Sequence, residues 1–359
     1  MVSINSLLRP GLEDLEPYEP VRPLDVIARE LGIATDDLAK LDANENLYGP
    51  IPAVREAAAN ADLHIYPDPA QVRLREAIGD YLSISPDSVV AGAGSDELLD
   101  LLFRAVAPER VVTTPPTFGM YRFLAGISGC EVVEVMRGEG FELDEPGIAA
   151  AVRDGANLVF VTSPNNPTGN LTTNETVASL CKLPALIVVD EAYAEFAGKT
   201  AVGLVESNEN LVVLRTFSKW AALAGLRVGY AVCAPSLQAN LMAMKQPYNV
   251  NAAADAAACA AIEHREEVFV TVRALVDERD RMVRELSRFE WLVPHPSQAN
   301  FVLFRVLGHD VGRVADDLRR RGVLVRTYSR PELQGYLRIS AGRRQDTERL
   351  LAALEESAG

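Results

Sequence analysis

Three short apolar runs, each ending abruptly in polar residues, constrain this chain more than any other feature. LVFVT leads into Ser163-Pro164-Asn165-Asn166-Pro167-Thr168-Gly169, LIVV into Asp190-Glu191-Ala192-Tyr193, and LVVLR into Thr216-Phe217-Ser218-Lys219. Runs that are apolar at every position, without alternation, suit parallel strands covered by helices on both faces. Further β-type runs fall at 88–91, 110–113, 131–135 and 228–233 beside those at 158–162, 185–189 and 211–215, and helical stretches separate them. The expectation is an α/β fold with a mostly parallel seven-stranded sheet over 50–250. In open sheets of this kind ligands bind at the carboxyl ends of the strands, so the polar residues closing the three runs should share one crevice.

The rest of the chain has a different rhythm. An opening segment, 1–49, holds a helix over 23–31 closed by Gly32 and then a short strand; it reads as an arm belonging to a smaller domain. From 251 to about 289 no proline or glycine interrupts an alanine-rich stretch that reads as one or two connecting helices. Strands at 300–306, 323–327 and 336–339, with helices at about 310–321 and 344–356, complete a small α+β domain within 251–359.

Composition excludes several functions. A net charge of −15 and a pI near 4.8 do not suit a nucleic-acid binder. The four cysteines and four histidines have no metal-ligand or disulfide spacing, so no metal is expected. The amino-terminal twenty residues are broken by acids and prolines, and no run approaches 18 apolar residues, which points to a cytoplasmic protein outside any membrane.

Taken singly, Asn166 reads as a turn residue, Asp190 as a helix cap, Tyr193 as packing and Lys219 as a solvated lysine. Together in a dry crevice they can do chemistry. Desolvation lowers a lysine pKa until the amine can condense with an aldehyde. A carboxylate can protonate a pyridine nitrogen, and a phenol and an amide can bond a ring oxygen. Gly92-Ala93-Gly94-Ser95-Asp96-Glu97 follows a strand and opens a helix, which suits an anion. That stretch lacks the third glycine of a dinucleotide fingerprint and the Gly-Lys of a P-loop. Arg227 could add a bidentate grip on the same anion. Trp220, beside Lys219, reads as packing.

These residues resemble the fold-type I pyridoxal 5'-phosphate (PLP) aminotransferases along nearly the whole chain. LDANENLYGP, YPDP, AGAGSDELL, PPTFGMY, SPNNPTG, VDEAY, RTFSKWAALAGLRVGY, SQANFVLF and YLRISAG are similar to the histidinol-phosphate branch. The resemblance implies Lys219 as the Schiff-base lysine, Asp190 on the pyridine nitrogen, and Tyr193 and Asn166 on the ring oxygen. Gly94, Ser95, Asp96, Thr216, Ser218 and Arg227 would surround the phosphate, and Phe118 would stack on the ring in place of the tyrosine many members carry. Tyr66 would reach the cofactor of the neighbouring subunit, implying a homodimer with shared sites. Tyr18, Asn44, Arg326 and Arg338 are the implied substrate contacts: Arg338 for a carboxylate, Arg326 for the substrate phosphate or the distal carboxylate of 2-oxoglutarate. Two departures stand out: Pro20-Val21-Arg22 replaces the usual Pro-Gly-Lys, and Arg326-Thr327-Tyr328 replaces Arg-Asp. The implied reaction is transamination of L-histidinol phosphate with 2-oxoglutarate. Alternatives are an aromatic amino-acid aminotransferase, a threonine-phosphate decarboxylase, or a PLP-binding protein without turnover.

Overall fold

The structure, a computed structural model, describes residues 4–8, 12, 15, 17, 18 and 20–357. The other residues of the expected arm lie outside the described residues. Thirteen strands follow in chain order: β1 (Ala39–Lys40), β2 (Val89–Gly92), β3 (Arg110–Thr113), β4 (Glu131–Glu134), β5 (Leu158–Thr162), β6 (Leu186–Asp190), β7 (Leu211–Thr216), β8 (Gly229–Val232), β9 (Leu292–Pro294), β10 (Phe301–Val306), β11 (Val323–Leu324), β12 (Arg326–Thr327) and β13 (Tyr336–Ser340).

Seven of them form one sheet in the order β2-β8-β7-β6-β5-β3-β4. Only β8 runs against its neighbours, being antiparallel to both β2 and β7. The sheet is therefore the mostly parallel one expected. Its central strands are apolar throughout because each face has its own core. Val159, Val161, Ile187, Val189, Leu211 and Val213 pack into one cluster with the helices Ala252–Glu263 and Arg265–Leu286. Phe160, Val188, Val212 and Leu214 pack into the other with the helices Ser95–Val106 and Met120–Ser128. Each such fully buried side chain contributes about 1.5–3 kcal/mol, so neither face tolerates a polar residue until the strand ends.

The smaller sheet has the order β12-β13-β10-β9 and is antiparallel. The parallel pair β1 and β11 brings the opening segment onto this part of the chain. The helix Leu24–Leu31 stops where Gly32 turns left-handed (φ 66°) and its N–H bonds to Ala28 O. The stretch expected as one or two connecting helices is two, breaking at His264. The expected strand over 323–327 is interrupted at Val325, its halves pairing with different partners. The strand β9 was not expected.

Candidate active site

In the register of the large sheet, Thr162 pairs with Asp190 and Asp190 with Leu214, so the ends of β5, β6 and β7 lie abreast. The residues that follow open into one cavity of about 1360 Å³. It is lined by Tyr18, Asn44, Ser95, Asp96, Phe118, Asn166, Asp190, Tyr193, Thr216, Ser218, Lys219, Arg227, Arg326 and Arg338. Of the expected site residues, Gly94 sits just behind the lining and Tyr66 lies elsewhere, 79% exposed and stacked on Tyr248 at 4.6 Å.

Burial pushes the Lys219 amine down to about 8, and Arg338 pushes in the same direction. Its Nζ donates to Ala43 O at 3.2 Å. Burial also pushes the Asp190 carboxyl up to about 6, against the hydrogen bonds it accepts from Tyr121 OH at 2.7 Å and Ala192 N at 3.0 Å. The crevice thus brings the neutral amine within reach near pH 7 and holds a carboxylate that titrates near neutrality, both suited to proton transfer.

Tyr193, raised to about 12 by burial, keeps its phenol proton. Asn44 Nδ2 donates to the Tyr193 hydroxyl at 3.0 Å, leaving that proton free for another acceptor. Asn44 is itself held by Ser340, whose Oγ donates to Asn44 Oδ1 at 2.8 Å. The side chain expected on the substrate therefore supports the tyrosine. Arg338 donates to Asn166 Oδ1 at 2.6 Å and to Asp42 O, while its buried Nε has no partner. Arg326 stands directly opposite Arg338 across β12 and β13, on the same face of the small sheet.

An anion cradle lies at one end of the cavity. Gly94 precedes the helix Ser95–Val106 with φ 83° and no side-chain cap, which leaves the first helical N–H groups facing outward. The positive φ favours glycine at position 94, and a Cβ there would sit 2.6 Å from Arg227 Nη2, so the guanidinium would have to move off the turn. Arg227 also pairs with Asp96 at 3.1 Å. Across from the turn, Thr216 Oγ1 donates to Ser218 Oγ at 3.0 Å. Gly229 closes the cradle from behind: a Cβ there would lie 2.7 Å from Arg215 O and 2.9 Å from Ser95 N.

Sequence reasoning missed the groups that hold these residues. Arg215 is buried between Glu191 and Glu195, at 2.8 Å from each, which ties β7 to the segment after β6. Tyr121 lies in the quoted string PPTFGMY, three residues beyond Phe118, yet nothing local marks it as a partner of Asp190. Trp220 is fully buried and stacks on Tyr81 at 5.9 Å and Phe269 at 5.6 Å, the packing role expected.

An α/β fold with an amine, a carboxylate and a phenol at adjacent strand ends, beside an anion cradle, defines a class of group-transfer enzymes. The family Aminotransferase class I and II matches residues 36–354, and the chain belongs to it. Among curated proteins it is similar to the histidinol-phosphate aminotransferase of Roseiflexus castenholzii, 45% identical over 99% of both chains. It is also similar to the chloroplastic histidinol-phosphate aminotransferase of Nicotiana tabacum, 42% identical over 99% of this chain and 87% of that one. Among solved structures it resembles histidinol-phosphate aminotransferase from Sinorhizobium meliloti in complex with pyridoxal-5'-phosphate, with a TM-score of 0.89, 29% identity, and 98% and 97% of the two chains covered.

Proposed function

We propose that this chain is a PLP-dependent transaminase of histidine biosynthesis. It moves the amino group of L-histidinol phosphate to 2-oxoglutarate, giving imidazole-acetol phosphate and L-glutamate. The convergence of Lys219, Asp190 and Tyr193 on one cavity beside the Gly94–Arg227 cradle carries this reading. The donor set fits the cofactor: an amine of lowered pKa for an aldehyde, a carboxylate for a ring nitrogen, a phenol for a ring oxygen and a cationic turn for a phosphate.

PLP, when bound, supplies the aldehyde and an electron-withdrawing ring. The chain's own groups do the rest. Gly94, Ser95, Asp96, Thr216, Ser218 and Arg227 would hold the phosphate, Phe118 would cover the ring, and Asn166 and Tyr193 would donate to its oxygen. Asp190 would keep the ring nitrogen protonated. Lys219 would hold the aldehyde, and its free Nζ would be the base that takes the proton from the substrate α-carbon and the acid that gives it back. Its amine, lowered to about 8, can both accept and return that proton near neutral pH. Arg338 binds the α-carboxylate of glutamate or 2-oxoglutarate. Arg326, together with Tyr18, grips the phosphate of histidinol phosphate or the distal carboxylate of 2-oxoglutarate.

The working unit in this reading is a homodimer in the cytoplasm, in which Tyr66 reaches into the neighbouring site. Leu63, Ile65, Tyr66, Val72 and Tyr248 are exposed apolar side chains, Tyr66 stacked on Tyr248, that a second copy would cover. No helix among the described residues is long and apolar enough to cross a membrane. The proposed division into an arm (1–49), a large domain (50–250) and a small domain (251–359) is supported by the pairing of β1 with β11.

The test is product analysis with purified protein and PLP. Histidinol phosphate and 2-oxoglutarate should yield equimolar glutamate and imidazole-acetol phosphate. Faster turnover of phenylalanine, or carbon dioxide from threonine phosphate without an oxo acid, would replace the substrate assignment.

A further inference from the structure

We infer that Tyr121, backed by Thr162, is a positioning residue that aims the Asp190 carboxylate and keeps it ionised for the cofactor's ring nitrogen. The inference rests on the reading of Asp190 proposed above and adds a residue to it. Tyr121 lies in the first turn of the helix Met120–Ser128 and is fully buried. Its ring lies flat on Phe160 (4.8 Å, 3°) and edge-on to Phe118 (5.7 Å, 87°), so it has one position. Its hydroxyl is 2.7 Å from Asp190 Oδ2 and 2.7 Å from Thr162 Oγ1.

Counting protons gives this chain a direction. Asn165 Nδ2 donates to Pro116 O at 2.8 Å, which fixes the amide so that Oδ1 accepts. Thr117 gives its only hydroxyl proton to that oxygen at 2.9 Å and has none left for Thr162, 3.1 Å away. An ionised Asp190 can only accept, so Tyr121 spends its one proton there and Thr162 must be the donor in their 2.7 Å contact, which leaves the 3.1 Å contact with Thr117 without a proton. Each bond polarises the next toward the carboxylate. Ala192 N holds the other oxygen, Oδ1, at 3.0 Å, so both carboxylate oxygens have a fixed donor and the plane of the group is set.

The charges around Asp190 make this donor matter. Asp96, from the first turn of the helix Ser95–Val106, and Glu191, its own neighbour, both oppose its ionisation, as burial does. Tyr193 beside it is neutral, and Lys219 and Arg227 line the same cavity, Arg227 paired with Asp96. Tyr121 and the Ala192 N–H act in the opposite sense. Removing the phenol hydroxyl raises the Asp190 pKa. Affinity that needs the ionised carboxylate is present above that pKa and lost as pH falls through it, so the variant loses affinity at a higher pH.

The experiment titrates PLP into cofactor-stripped full-length protein across pH and reads the dissociation constant. Tyr121→Phe should move the acidic midpoint up by about one unit, the effect of one hydrogen bond to a charged group, so that binding weakens about two-fold at neutrality and by a factor approaching about ten below the wild-type midpoint. Thr162→Val should move the midpoint the same way by less, and it carries the test if Tyr121→Phe does not fold. An unmoved midpoint in the folded variants overturns the inference. Asp190→Asn should abolish the pH dependence; an Asp190→Asn variant that keeps it, or wild-type protein that binds no PLP, overturns the underlying reading instead.

Discussion

Replacing Arg215 with methionine should destabilise this protein far more than removing any exposed ion pair. The guanidinium is buried, with Nε 2.8 Å from Glu191 Oε2 and Nη1 2.8 Å from Glu195 Oε1. Methionine fills much of the volume but strands two buried carboxylates. Glu191 retains the Ala201 N–H and the Thr200 hydroxyl, whereas Glu195 Oε2 already has no partner. Breaking a buried pair from one side costs about 3–5 kcal/mol. For a chain of 359 residues, with an unfolding entropy of about 2.1 cal/mol/K per residue, that is a fall in Tm of about 4–7 °C. The deficit should depend on pH. Burial already pushes the Glu195 carboxyl up, and Arg215 opposes the rise, so the variant's carboxyl climbs further. A folded-state pKa above the unfolded one leaves stability intact below the ordinary glutamate range and removes it as pH rises through the raised value. The difference from wild type is therefore largest at mildly alkaline pH and shrinks toward acid. Thermal melts at several pH values measure it, and adding Glu195→Gln to Arg215→Met should recover part of the loss. A variant melting within about 1 °C of wild type at pH 8, or a deficit that grows toward acid, would refute the reasoning.

Three other outcomes follow from the site. Gly94→Ala places a Cβ 2.6 Å from Arg227 Nη2 at a φ of 83°, and fluorescence titration should show PLP affinity falling about ten- to hundred-fold, equivalent to about 1–3 kcal/mol. Because Lys219 is lowered to about 8, roughly one amine in ten is free at pH 7, against fewer than one in a thousand for an ordinary lysine. Stopped-flow capture of PLP by stripped protein should accordingly accelerate with pH and level off above about 8, whereas a midpoint near 10 would contradict the dry crevice. If Tyr66 serves the partner's site, then Tyr66→Ala and Lys219→Ala homodimers, each impaired alone, should regain up to about a quarter of wild-type activity after mixing and refolding, since half the dimers would carry one intact site. No regain would place Tyr66 in its own subunit's site or in neither.

The large sheet was legible because its central strands are buried on both faces, so β5, β6 and β7 carry unbroken apolar runs that end at the site. The small sheet was legible only in part. The strand β9 is three residues long, ends in Pro294 and lies at an edge, leaving no alternation to read. The interruption at Val325 arises because one half of an extended segment pairs with β1 and the other with β13, a tertiary choice. The break at His264 carries no glycine or proline to announce it. Within the site, Lys219, Asp190, Tyr193 and Asn166 could be found because each closes a strand or follows one closely. Tyr121, Arg215 and Ser340 could not: their partners lie 69, 24 and 296 residues away, and only the folded sheet brings them together. Asn44, expected on the substrate, lines the cavity, and its contact with Tyr193 is held by Ser340 at the end of β13, which nothing local in the sequence announces.

The central claim is that one lysine at the end of β7 carries a cofactor through both halves of a transamination. The absorbance spectrum of the PLP-loaded protein tests it most directly, recorded before and after L-histidinol phosphate and again after 2-oxoglutarate, with Lys219→Ala as control. A visible band should require Lys219, disappear on the first addition and return on the second. A band indifferent to histidinol phosphate would contradict the substrate, and a band unchanged in Lys219→Ala would contradict the site.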